Sequence, residues 1–327
     1  MTTSRRSQLL EKLNLRLPLV ASPMFIVSQL DLVLASCKNG IIGTFPALNN
    51  RSSEGFEQWL IQIKEELKAY EEKTGKVLPP YGVNLIVHKS NPRVEADLEI
   101  CVRHKVPIII TSLGAVGELV DRVHSYGGLV FHDVINRRHA EKAIAAGVDG
   151  LILVCTGAGG HGGVLNPIPF VAEVREMFDG LILLAGGLST GKDIATALQM
   201  GADLAYMGTR FINTTEAIAA EEYKQMIIDS GTKDIVYTAS ISGVNGNYLW
   251  QSLERAGISK EMLDSKVKID FSEKKMSVGA KAWKNLWSAG QGVASINDTL
   301  PVKELTDRLY AEFKAALEAQ VRLLDKY

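Results

Sequence analysis

Short apolar runs bounded by Gly, Pro or Asn recur through the first two thirds of the chain, at residues 19–22, 41–44, 81–86, 107–111, 129–132, 150–154, 181–185 and 203–207. Helix-like stretches such as 53–73, 115–124, 137–146 and 191–200 fill the gaps, so strand and helix alternate. The runs lack the polar alternation of a half-exposed sheet and read as parallel strands covered on both faces. Eight such units predict an α/β protein of the (β/α)₈ TIM barrel type. The widest gap, between the second and third runs, holds a long charged helix with Trp59 and ends in Pro79 and Pro80; it reads as a surface excursion. From about residue 231 to 276 the pattern becomes a Gly/Asn/Ser-rich stretch followed by charged helical pieces, as expected of a cap over the barrel mouth. The predicted organisation is a barrel over 1–230, a small, mainly helical cap region over 231–300, and a C-terminal helix within 301–327 packing on the barrel.

Composition narrows the function classes. Of 327 residues, 46% are hydrophobic, enough for a large core without disulfides or metals. The net charge of −1 leaves no whole-molecule field to attract nucleic acid or an anionic membrane. Cys37, Cys101 and Cys155 are odd in number and share no CxxC spacing, which argues against a disulfide framework or a thiolate zinc site and for a reducing cytoplasm. Arg5 and Arg6 precede an apolar stretch, but Glu11, Lys12 and Arg16 interrupt any signal-peptide core. No run reaches the roughly 20 apolar residues of a membrane span.

Glycine, 29 residues in all, is placed rather than spread. Thr156-Gly157-Ala158-Gly159-Gly160-His161-Gly162-Gly163 follows the sixth run. It contains G-x-G-x-x-G, yet no helix opens there and the next strand ends in Ala185-Gly186-Gly187 rather than an acid, so a Rossmann reading fails. The glycines would instead let a flat ligand lie against the backbone. His161, at the carboxyl end of a barrel strand, stands where barrel enzymes keep their chemistry and is suited to proton transfer; the plain alternative is a loop histidine bound to its own backbone. Three of the other five histidines fall in helix-like surface patterns and should be solvated. Gly186 and Gly187 after the seventh run, with Gly208 and Thr209 after the eighth, match the barrel phosphate site, where bare amides and a helix N-terminus face an anion. Ser189 and Thr190 also read as helix caps. Arg210 either pairs with the phosphate or holds an acidic neighbour. Cys155 reads as packing. Trp283 and Trp287 share a helix spacing and read as core, with Trp287 close enough to the 288–291 segment to contact ligand. Tyr248 is either a lid residue or a surface-loop residue.

Ala21-Ser22-Pro23-Met24, Gly82-Val83-Asn84, Gly159-Gly160-His161, Ala185-Gly186-Gly187, Met207-Gly208-Thr209-Arg210-Phe211 and Trp287-Ser288-Ala289-Gly290-Gln291 together resemble the nitronate monooxygenases, over nearly the whole chain. The resemblance implies FMN at the barrel mouth. Gly186, Gly187, Gly208 and Thr209 would hold its phosphate, and Ser22, Pro23, Met24 and Asn84 would line the ring. His132, Gly160, Ala185 and Gln291 would complete the site, with His161 as the catalytic residue. It further implies oxidation of alkyl nitronates by O2 to a carbonyl compound and nitrite, or, in the same superfamily, reduction of a quinone or an enoyl thioester by NAD(P)H. A homodimer is left open. A non-flavin phosphate-binding barrel would need a lysine or paired carboxylates at strand ends, which are not found; a non-catalytic flavin carrier is the remaining class. One departure stands out: relatives commonly carry His-Lys after the fifth strand, where this chain has His132-Asp133. A carboxylate there would oppose negative charge on a reduced flavin unless it turns toward Arg137 or Arg138.

Overall fold

The computed structural model describes residues 4–87, 91–112, 117–241, 243–264, 286–324 and 326–327. Parallel strands β1 (Leu19–Ala21), β2 (Ile42–Pro46), β3 (Gly82–Ile86), β4 (Ile108–Ser112), β5 (Leu129–Val134) and β6 (Gly150–Val154) are followed by the two-residue β7 (Gly160–His161) and then by β8 (Leu181–Ala185) and β9 (Leu204–Met207). All except β7 form a closed barrel, sealed where Leu19, Val20 and Ala21 pair with Ala205, Tyr206 and Met207. Helices α1 (Arg5–Lys12), α2 (Leu30–Lys38), α3 (Ser53–Thr74), α4 (Val94–Arg103), α5 (Gly117–His124), α6 (Arg137–Ala145), α7 (Pro167–Met177) and α8 (Gly191–Gln199) alternate with the strands. Beyond β9 come α9 (Thr209–Ile212) and α10 (Glu221–Ile228). His88 and part of the 115–124 stretch lie outside the described residues.

The missing polar alternation has a direct cause. Val20, Ile42, Ile108, Ile110, Phe131, Ile152, Leu183 and Leu204 fill the barrel interior. Their strand neighbours Val83, Ile109, Val130, Leu151, Ile182 and Leu184 pack against the outer helices. Both faces are dry, and each buried Ile or Leu contributes about 1.5–3 kcal/mol. Leu9 and Leu13, on and just after α1, join the interior cluster and plug the amino-terminal end. At that end Asp149 accepts from Arg5, His124 and the Val130 amide, and Asp203 from Arg175 and the Ile182 amide. These contacts pin strands far from the mouth. His104, 2.7 Å from Glu57, is thus paired and half-buried rather than solvated, whereas His124 is exposed and bonded to Asp149.

The long helix after β2 is not a surface excursion. Phe56, Leu60, Ile63 and Leu67 of α3 are buried at helical spacing, and the Trp59 ring lies 5.8 Å from that of Phe45. Charges on the opposite face had hidden an ordinary barrel helix.

Beyond α10, β10 (Ile235–Thr238) and β11 (Gly246–Leu249) are antiparallel, and β11 pairs with β7, Gly246 opposite His161 and Asn247 opposite Gly160. Helices α11 (Trp250–Arg255) and α12 (Lys260–Asp264) follow; Trp283 lies outside the described residues. The closing helix α13 (Val302–Leu324) packs on α8, with Leu305 and Leu309 in one cluster with Ile194. The approach requires a glycine, since a Cβ on Gly191 would lie 2.1 Å from the Leu309 carbonyl oxygen and 2.5 Å from the Phe313 nitrogen.

Candidate active site at the barrel mouth

Inward-facing residues at the carboxyl ends of the strands, among them Ser22, Pro46, Asn84, Ser112, Asp133, Ala185 and Tyr206, line a cavity of about 1790 Å³. Most single-ligand sites are about 300–1,000 Å³. Pro23, Met24, Gly160, His161, Gly186, Gly187, Gly208 and Thr209 line it too, so the fold brings together most of the residues proposed from sequence, while His132 lines its outer extension beside His139 and Lys142 of α6. Gln291 is the exception. Its amide donates to Gly157 O at 2.8 Å, but its side chain is exposed, and the flanking Gly290 and Gly292 form the wall.

The loops after β8 and β9 carry an unsatisfied donor set. Gly186 and Gly187 have φ of +137° and +70°, conformations that favour glycine. A Cβ on Gly186 would sit 2.7 Å from Thr156 O, and one on Gly208 would sit 2.8 Å from Ser22 Oγ. Among the described residues the amides of Gly187, Leu188, Gly208 and Thr209 find no acceptor, and the buried Ser189 hydroxyl has no partner. Bare amides beside an orphaned hydroxyl suit a phosphate. The amino terminus of α8 does not take part as expected: Asp193 Oδ2 accepts from the Ser189 and Thr190 amides at 2.9 and 2.8 Å, and Glu312 of α13 accepts from the Gly191 amide at 2.7 Å. Two carboxylates already fill that terminus. Arg210 is settled as the partner of an acid: it is buried and pairs with Asp298 at 3.1 Å. Thr209 Oγ1 accepts from the Gly290 amide at 2.9 Å and ties the returning chain to the site.

Asp133 does not turn away. On β5, Leu129 and Phe131 face the barrel interior while Val130 and Val134 face the helices. Alternation therefore places Asp133 inward and His132 outward. Asp133 Oδ2 accepts from Ser112 Oγ at 2.5 Å, and Ser112 Oγ accepts from Asn84 Nδ2 at 3.1 Å. Arg137 is engaged by Glu141 and Glu173 instead. Desolvation pushes the Asp133 carboxyl up to about 6, against the pull of the Ser112 hydrogen bond. Burial, then the Asp133 charge, raise the Tyr206 phenol. His132 Nδ1 lies 2.7 Å from Thr111 Oγ1, and burial, assisted by His139, lowers the ring to about 4, so it is neutral near pH 7.

The glycine loop is held by β10 and β11. Asn247 Nδ2 donates to Ala158 O at 2.7 Å and Tyr237 Oη to Gly162 O at 3.1 Å. Gly157 and Gly160 adopt positive φ. His161 stands on the rim, and desolvation lowers its pKa. Cys155 is buried, with its thiol pushed up to about 12, and is inert at neutral pH. Tyr248 is neither a lid nor a surface residue; it is buried with Ile241, Leu253 and Leu286. Trp287 lines the cavity and stacks on Tyr223 at 4.8 Å. Ser112 and Tyr206 were not singled out from sequence. Counting two residues along β4 and β9 from Ile110 and Leu204 would have found both.

The chain is a closed parallel barrel with bare amides after its last two strands and a histidine-bearing glycine loop across the cavity. Residues 93–312 match the family model for nitronate monooxygenase. The chain belongs to that family, and it is an oxidoreductase. It is 27% identical over 345 residues to a nitronate monooxygenase of Neurospora crassa, covering 92% of this chain and 90% of the relative. It is 24% identical over 322 residues to a (3aS,4S,5R,7aS)-5-hydroxy-7a-methyl-1-oxo-octahydro-1H-indene-4-carboxyl-CoA dehydrogenase of Rhodococcus jostii, covering 97% and 84%. The structure of FabK from Thermotoga maritima superposes with a TM-score of 0.82 at 21% identity, over 99% of this chain and 100% of that one.

Proposed function

We propose that this protein is an FMN-dependent nitronate monooxygenase that converts alkyl nitronates and O2 to a carbonyl compound and nitrite. The observation that carries the reading is the set of bare amides of Gly187, Gly208 and Thr209 on the cavity wall, with the orphaned Ser189 hydroxyl on the same loop as Gly187, in a chain of this family. Those groups would hold the FMN phosphate. Ser22, Pro23, Met24 and Asn84 would lie along the ring. Bound FMN would supply the electron-transfer chemistry that the side chains lack. His161, with its pKa lowered, presents a neutral imidazole at neutral pH, able to accept an α-proton or to hydrogen-bond a nitro oxygen. Denaturing the protein should release FMN, and the intact protein should form nitrite from an alkyl nitronate in air; absence of nitrite would remove that substrate.

A second reading keeps FMN but has NAD(P)H reduce a quinone or an enoyl thioester. It is favoured by the size of the cavity and by an apolar rim on which Phe25, Ile26 and Ile218 remain 66%, 43% and 52% exposed. The likeness to the carboxyl-CoA dehydrogenase of Rhodococcus jostii points the same way. Rapid bleaching by NADH without nitronate would establish it.

A further inference from the structure

Asp133 enters the barrel mouth from β5, and among the described residues its carboxylate is bonded by Ser112 and ion-paired with no cation. The direction of its hydrogen bonding is fixed. Asn84 Nδ2 donates both to Ile110 O at 3.2 Å and to Ser112 Oγ at 3.1 Å, which uses both amide hydrogens. Ser112, already accepting, gives its own hydrogen to Asp133 Oδ2 at 2.5 Å. Three strands thus converge on one carboxylate.

The other walls do not neutralise it. From β6, Ile152 pairs in register with Asp133 and is apolar. From β9, Tyr206 is held protonated. His132 projects to the outer side, toward Thr111, with His139 and Lys142 of α6 lining the cavity beyond it. Arg137 is taken by Glu141 and Glu173, and His161 stands on the rim.

We infer that Asp133 is a proton-holding group for the ligand above it: as negative charge builds on that ligand, the carboxylate binds one solvent proton, and the charge of the site stays constant. This rests on the FMN reading. The step is protonation alone, carboxylate plus H⁺ giving carboxylic acid. No electron passes through Asp133; the electrons come from the substrate in turnover and from dithionite in the test. A carboxyl already pushed up to about 6 by desolvation is carried above neutral pH by one further nearby negative charge.

The test is the flavin midpoint potential of FMN-loaded protein from pH 5.5 to 8.5, for wild type, Asp133→Asn and Ser112→Ala. Wild type should take up one more proton per two electrons than Asp133→Asn above about pH 6. That is a further tenfold in the reduction equilibrium per pH unit, or about 30 mV per pH unit. Ser112→Ala removes a donor that favours the charged carboxylate, so its steeper segment should begin at higher pH. Should Asp133→Asn fail to fold, the Ser112→Ala shift decides. Parallel slopes in proteins that bind and reversibly reduce FMN would overturn the role of Asp133 alone. Failure of the wild type to bind FMN would overturn this inference and the cofactor reading together.

Discussion

A Cβ on Gly292 would lie 2.3 Å from Ser189 Oγ and 3.0 Å from the Gly187 carbonyl oxygen, so the returning chain packs directly on the loop proposed to hold the phosphate. Gly292→Ala must displace Ser189 or move the loop. It should weaken FMN binding about tenfold or more, near 1.4 kcal/mol. Fluorescence titration of the apoprotein measures this, and an unchanged Kd would separate Ser189 from the phosphate.

Replacing His161 by Ala should leave FMN bound, because the proposed phosphate donors lie in other loops. Nitrite-forming kcat/KM should fall about 10²- to 10⁴-fold, the usual contribution of a placed acid or base. The acid limb of the wild-type profile should lie below the ordinary histidine value of 6.5, since desolvation lowers this ring. Steady-state nitrite assays across pH report both, and retention of full turnover would remove His161 from the catalytic step.

Arg210 and Asp298 form a partly buried pair, the arginine side chain 2% exposed and the aspartate 30%. Arg210→Met should cost about 3 kcal/mol, the low end for breaking a buried ion pair, because water still reaches Asp298. Urea unfolding should show the loss. The folded fraction should keep its FMN affinity, since Arg210 is paired with Asp298 and does not line the cavity; a matching drop in affinity would return it to the phosphate.

His132 and Asp133 should pull stability in opposite directions with pH. The folded His132 pKa of about 4 lies below the ordinary 6.5, so its contribution is full above 6.5 and is lost as pH falls toward 4. The folded Asp133 value of about 6 lies above the ordinary 3.8, so its penalty is full above 6 and is relieved as pH falls toward 3.8. Each difference is on the order of 3 kcal/mol, so the two largely cancel between pH 4 and 6. Relative to wild type, Asp133→Asn should lose stability more steeply on acidification and His132→Asn less steeply. Denaturant midpoints at pH 4.5, 5.5 and 7 measure the divergence, and coincident curves would refute the opposition.

Much of the site was legible because its requirements are local. Gly186, Gly187 and Gly208 stand where a side chain would strike Thr156 O or Ser22 Oγ or where φ is positive, and such constraints are written residue by residue. The misread features depended on partners distant in the chain. The α8 terminus looked free until Glu312, 121 residues away, closed it. Gln291 looked like a ligand contact, yet its exposed side chain lies against Gly157 while Gly290 and Gly292 line the cavity. The α3 stripe of Phe56, Leu60, Ile63 and Leu67 was diluted by charges facing solvent.

The sequence by itself determined the eight alternating units, the placement of the glycines and the histidine at the end of the sixth unit, because apolar runs, turns and helix periodicity are properties of neighbouring residues. Only the tertiary structure decided that Asp133 faces the mouth while His132 faces the helices. On a strand dry on both sides, Leu129, Val130, Phe131 and Val134 carry no polar mark of which face is inside, and that phase is set when β1 closes on β9. The same closure brings Asn84 and Ser112 onto Asp133, from strands whose order in the chain says nothing of the hydrogen bonds they make.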